Sequence, residues 1–165
     1  MTSLPAHKYI PGQTARHAED AFEAIRARAL SPTETANALQ NPPWVYGLHL
    51  LEAGFYWEAH EVWEPVWLNA RPNSAERFMC QSVIQIANAA LKRDMGKPRA
   101  AERLCDMADG LLRNAGASND APMGVKPDVA IAAINLIRED ITVGCRSSIK
   151  IKLQYNTHTL RDPPI

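Results

Sequence analysis

Between Phe55 and Trp67 the chain reads FYWEAHEVWEPVW, and within it Tyr56, His60, Glu64 and Trp67 follow at spacings of four, four and three. Side chains at that interval stack along one face of a helix. An imidazole and a carboxylate one turn apart suit three kinds of chemistry. They can begin the ligand set of a divalent metal such as Zn or Fe. The carboxylate can fix the tautomer and pKa of the imidazole for acid/base work. Or the two can close an internal hydrogen-bonded pair, helped by a tryptophan N–H, that needs no ligand. Trp57 and Trp63 flank the face, and Phe55, Ala59, Val62 and Val66 cover much of the remaining circumference. The helix therefore reads as central, and a carboxylate inside an aromatic sleeve must be paired or bound to a cation.

A metal would need more than His60 and Glu64. The zincin pattern requires a second histidine four residues on, where Glu64 stands instead. Glu61, at the margin of the face, is the third candidate ligand; Glu58 and His49, the latter beside Glu52 on the preceding helix, are more remote, and Glu58 points nearly opposite to His60 and reads as solvated. On the next helix Arg77, Gln81, Gln85, Asn88 and Lys92 form a polar stripe bordered by Phe78, Ile84 and Leu91. The stripe is either a solvated face or meets the His60/Glu64 pair, where Gln81 and Gln85 would orient the pair or a small ligand. His7 and His158 fall in tails, and His17 lies on a helix with a solvated polar face, so all three read as surface. Trp44, Trp57, Trp63 and Trp67 read as core aromatics. No glycine-rich phosphate loop or nucleophile elbow is present in the sequence.

Several elements must position these residues. Apolar spacing predicts an amphipathic helix from about 14 to 30, then a short connector helix capped at Ser31, Pro32 and Glu34 and stopped by Asn41-Pro42-Pro43. A third helix runs from Trp44 to Ala53 and turns at Gly54. The motif helix follows, to about Ala70, and Pro65 should kink or shorten it. Two long antiparallel helices, Ser74 to about Met95 and Pro98 to about Gly116, come next. After a loop from Ala117 to Pro127, an apolar helix capped by Asp128 ends near Glu139. Ile149, Ile151, Leu153 and Tyr155 then alternate with Lys150, Lys152 and Gln154, a period of two that suits an extended arm. The expected fold is all-α, a compact bundle of about six to seven helices with an extended C-terminal arm.

At 165 residues, 46% hydrophobic and 22% charged, the chain can build one sizeable core, so 1–165 reads as a single helical domain, with N-terminal helices over 1–46 and the arm or tail over 140–165. Lys plus Arg and Asp plus Glu both number 18, which argues against a nucleic-acid partner. No apolar run spans a bilayer and no signal-peptide pattern opens the chain, so the expected location is the cytoplasm, without a membrane partner. Cys80, Cys105 and Cys145 are odd in number and widely spaced, which points to buried thiols. A terminal arm can cross to a second copy, making a homodimer the candidate assembly.

The run GFYWEAHEVWEPVW, followed by QSVIQIANAALK and GKPRAAERLCDMADGLL, resembles a bacterial and archaeal family of uncharacterised proteins, the domain-of-unknown-function family 309, over a family-like core of about 47–113. Its hallmark is a histidine, a glutamate four later and an aromatic three after that; here these are His60, Glu64 and Trp67. The resemblance implies a small all-helical bundle and a proposed metal site without an established reaction. Trp63 stands where an aliphatic residue is usual, and Pro65 directly follows the motif glutamate. The functional expectation is a soluble helical protein that binds a divalent metal or an unidentified small ligand at His60 and Glu64. Its alternative is a non-enzymatic interaction module in which the pair is an internal hydrogen-bond network.

Overall fold

The computed structural model describes residues 3–116, 121–144 and 149–153. It is all-α, as expected: α1 (Glu23–Arg26), α2 (Pro42–Glu52), α3 (Tyr56–Leu68), α4 (Ala75–Asp94), α5 (Pro98–Ala115) and α6 (Pro127–Val143), with 3-10 helices at Thr35–Gln40 and Pro122–Gly124. Extended pairing among the described residues amounts to one parallel bridge between Thr33 and Ala70.

α2 and α3 form a tight hairpin. Pro42 opens α2, where a missing N–H costs nothing, and Gly54 turns the chain at φ +80°. The two helices touch through Trp63, whose indole lies across the α2 backbone at Gly47 and donates to the carbonyl of Trp44 at 3.1 Å. Trp44 in turn donates to the carbonyl of Met123 at 3.1 Å, pinning the second 3-10 helix beneath α2. α4 and α5, about 30 and 27 Å long at 1.5 Å per residue, meet through small buried side chains that include Cys80, Ala87, Cys105 and Ala108. Burial pushes the Cys105 thiol up to about 11 and the Cys80 thiol higher still, so both are unreactive fillers of the core. Arg138 of α6 clamps α5 by reaching Glu102, Asp106 and Asp109 at 3.0, 2.7 and 2.7 Å.

The expected helix over 14–30 is not formed; only α1 is helical there. Ahead of it the backbone turns, with Ile10 accepting from the amides of Gln13 and Thr14. The cause is tertiary, because this segment lays His17 and Phe22 against Trp57 of α3, a contact that a continuous helix would not reach. The connector is a 3-10 helix capped reciprocally by Glu34 and Asn37 rather than by Ser31. α3 runs through Pro65 and ends at Leu68. α6 passes Glu139 and closes at Gly144, so the start of the predicted arm is helical. Ile151 and Leu153 are buried, Lys150 and Lys152 exposed. Cys145, Tyr155 and His158 lie outside the described residues.

Candidate functional site

His60 lies half-buried on α3. It does not pair with Glu64. Arg26, from the short α1, places Nη2 2.9 Å from Glu64 Oε2 and Nη1 3.0 Å from Glu61 Oε2. One guanidinium fork thus holds both carboxylates, which fits its planar two-pronged donor geometry. The Glu64 side chain keeps 41% of its surface exposed. Among the described residues His60 has no hydrogen-bond or ion-pair partner, so the face carries one free imidazole beside two partnered carboxylates.

Trp67 closes the other end of the face. Arg77 of α4 stacks on it, with its guanidinium carbon 4.8 Å from the ring centroid. The same side chain donates to the carbonyls of Trp67, Leu68 and Ala70 at 3.2, 3.4 and 2.9 Å, so a cation caps the C-terminus of α3. Thr33 takes up the Val66 carbonyl at 2.8 Å. Trp67 Nε1 is buried without a hydrogen-bond acceptor. Because a short connection over 69–74 returns α4 antiparallel to α3, the stripe from Arg77 to Asn88 runs back along α3 from Trp67. Gln81, Gln85 and Asn88 are half-buried, not a fully solvated face, and Asn88 reaches the Gln85 amide oxygen at 3.5 Å.

Tyr56, expected on the same face, serves a different space. It lines a cavity of about 560 Å³ together with Lys8, Gln13, Glu52, Arg93 and Asp94, and neither His60 nor Glu64 borders it. Its hydroxyl donates to the Ile149 carbonyl at 3.3 Å. Among the described residues no three His, Cys, Asp or Glu side chains converge to hold a metal ion. Glu61 and Glu64 are bound to Arg26, Glu52 pairs with Lys152 at 3.2 Å, and His49 is exposed on α2.

Two residues that read as surface are enclosed polar groups of the motif region. Glu58 is fully buried. Its Oε1 accepts from the Tyr9 amide at 2.6 Å and lies 2.7 Å from His17 Nε2, while Oε2 is buried without a partner. His17 stacks on His7 at 4.5 Å and on Trp57 at 5.9 Å between centroids, with Phe22 edge-on at 5.2 Å. The correction to Glu58 follows from α3 itself: a helix apolar nearly all round is covered on its far side too, so an acid there needs a donor. The sequence carried that signal, but the donor lies in the N-terminal segment, beyond any helical spacing.

Residues 44–104 match the family model described as Domain of unknown function (DUF309). Neither a curated protein nor a solved structure matches the chain. The matched span takes in α2, α3, α4 and the opening of α5, and with them His60, Glu64, Trp67, Gln81 and Gln85. Arg26 and His17, which hold its carboxylates, lie before it. Over residues 44–104, then, the chain is similar to the domain-of-unknown-function family 309.

Proposed function

We propose that this helical module binds a small polar molecule at the face where His60 of α3 stands beside the Arg26-held pair Glu61 and Glu64, with the Gln81 and Gln85 amides of α4 completing the site. The observation that supports this is His60 itself. It is half withdrawn from water, has no partner among the described residues, and sits among polar groups whose own bonds are made. An imidazole so placed gains most from a ligand that replaces the water it has lost. At the His60 end of the face Glu61 and Glu64 outnumber the Arg26 guanidinium by one charge, with the Arg77 cation at the Trp67 end, which favours a donor-bearing molecule such as an amine beside His60.

The same arrangement weighs against a metal at this face, since an ion would have to displace Arg26 from both carboxylates. It also weighs against a closed His60/Glu64 network, because Glu64 is turned toward Arg26 and is well exposed. The same reading takes 1–165 as one domain without a nucleic-acid partner, on its equal counts of basic and acidic residues.

The test is an NMR titration of uniformly ¹⁵N-labelled protein, purified without chelators, with ethanolamine and separately with Zn²⁺. Saturable movement of the His60 imidazole and of the Gln81 and Gln85 amide signals by the amine is expected, with a raised melting temperature. His60→Ala and Glu64→Gln should abolish the response while leaving stability within about 1 kcal/mol, as partly exposed substitutions do. Stoichiometric Zn²⁺ lost in both variants would replace this reading with a metal site. Silence toward both probes would overturn it.

A further inference from the structure

A second cavity, of about 380 Å³, opens between residues 3–6, α1 and α2. Its walls are mainly apolar, built from Leu4, Pro5, Phe22 and Ile25, and Ser3, His17 and Tyr46 line it as well. The volume falls at the small end of the roughly 300–1,000 Å³ range of ligand pockets, and a mostly apolar lining with few convergent polar groups is their usual character.

Tyr46 and His17 each commit a hydrogen elsewhere. Tyr46 donates its hydroxyl hydrogen to the Ser3 carbonyl at 2.8 Å, so its oxygen is left as an acceptor. His17 turns Nε2 to Glu58 at 2.7 Å, and a carboxylate that also takes the Tyr9 amide on the same oxygen holds the ring hydrogen on Nε2. In the neutral ring this leaves Nδ1 as a lone-pair acceptor, and among the described residues nothing donates to it. Behind the ring, Oε2 of Glu58 is buried without a hydrogen-bond partner. With no other side-chain donor, the carboxylate directs its charge onto the His17 hydrogen bond and polarises the ring, strengthening Nδ1 as an acceptor. That charge also extends to Tyr46, whose pKa is raised first by burial and then by Glu58, so the cavity disfavours anions.

We propose that this cavity binds a neutral, mainly apolar molecule bearing one hydroxyl, of the phenol class, whose hydroxyl donates to Nδ1 of His17 while Glu58 holds the ring from behind. Of the stacked rings, His17 and Phe22, edge-on to each other, line the cavity, so a ring-shaped ligand meets aromatic surface there. This site is separate from the His60 face and does not depend on it.

The experiment uses the full chain and phenol, with toluene as the control of like shape. Phenol should saturate the protein, raise its melting temperature and shift the ¹⁵N resonance of His17 Nδ1, with toluene weaker by about tenfold or more, one donor bond's worth. Ala24 is exposed at the cavity wall, so Ala24→Trp fills the space from outside and should abolish binding without unfolding the chain. Tyr46→Phe keeps the ring and, because the phenol hydrogen goes to His17, should leave phenol binding nearly unchanged, so its loss there would overturn the assignment even if His17→Ala fails to fold. Equal binding of toluene, an unmoved His17 signal, or undiminished binding to Ala24→Trp would each overturn the proposal.

Discussion

Tyr56 joins the motif helix to the end of the described chain. Its ring is sealed from solvent and its hydroxyl donates to the Ile149 carbonyl. Burial, ahead of the Asp94 carboxylate, pushes its pKa up to about 12. An unfolded tyrosine ionises near pH 10, so the folded state resists losing this proton more than the unfolded state does. The resulting stability is whole below pH 10 and is lost as pH rises from there to 12. In urea denaturations across that window, wild type should weaken more steeply than Tyr56→Phe; parallel curves would show that Tyr56 is not the group responsible. At this scale the sequence marked the residues of the face but not their partners. Glu64 finds Arg26 38 positions away and Glu58 finds His17 41 positions away. Helical spacing reports neighbours three and four apart, so it offers His60 as one candidate partner of Glu64 where the fold supplies a guanidinium.

Among the elements, glycine gives the sharpest contrast between propensity and packing. Gly47 and Gly110 both sit inside helices, α2 and α5, where alanine is the better helix former by about 1 kcal/mol. A Cβ at Gly110 meets nothing within 4 Å, whereas one at Gly47 would lie 2.2 Å from the indole nitrogen of Trp63. Gly110→Ala should therefore stabilise by up to about 1 kcal/mol, and Gly47→Ala should destabilise by about 3 kcal/mol or more as the tryptophan is forced off its rotamer and off the Trp44 carbonyl. Thermal melts of the two variants check both signs; a neutral Gly47→Ala would mean that the indole can move aside. The long helices α4, α5 and α6 were legible because their apolar period and proline openings agree with their packing. The first predicted helix was not, because stacking of His17 and Phe22 on Trp57 outweighs its modest helical preference.

Across the whole molecule, the first and the last described segments both fold back onto the α2–α3 hairpin. The N-terminal segment docks through Tyr9 and His17 on Glu58, and residues 149–153 dock near Tyr56. The alternation along 149–153 separates what holds the arm from what solvates it. Ile151 and Leu153 are 1% and 5% exposed, while Lys152 meets Glu52 with both side chains half in water or more. Ile151→Ala should cost about 2–4 kcal/mol as a buried deletion, and Lys152→Ala less than about 1 kcal/mol, as an exposed ion pair does. The Tyr56 hydroxyl carries this further, since its acceptor is the Ile149 carbonyl and its shielding depends on the arm staying down. If Ile151→Ala loosens the arm, water reaches the phenol and its ionisation moves from about 12 back toward 10, visible as earlier phenolate absorbance in an alkaline titration. A lowered stability with the tyrosine titration unmoved would show instead that Ile151 packs on the core without carrying the arm over Tyr56.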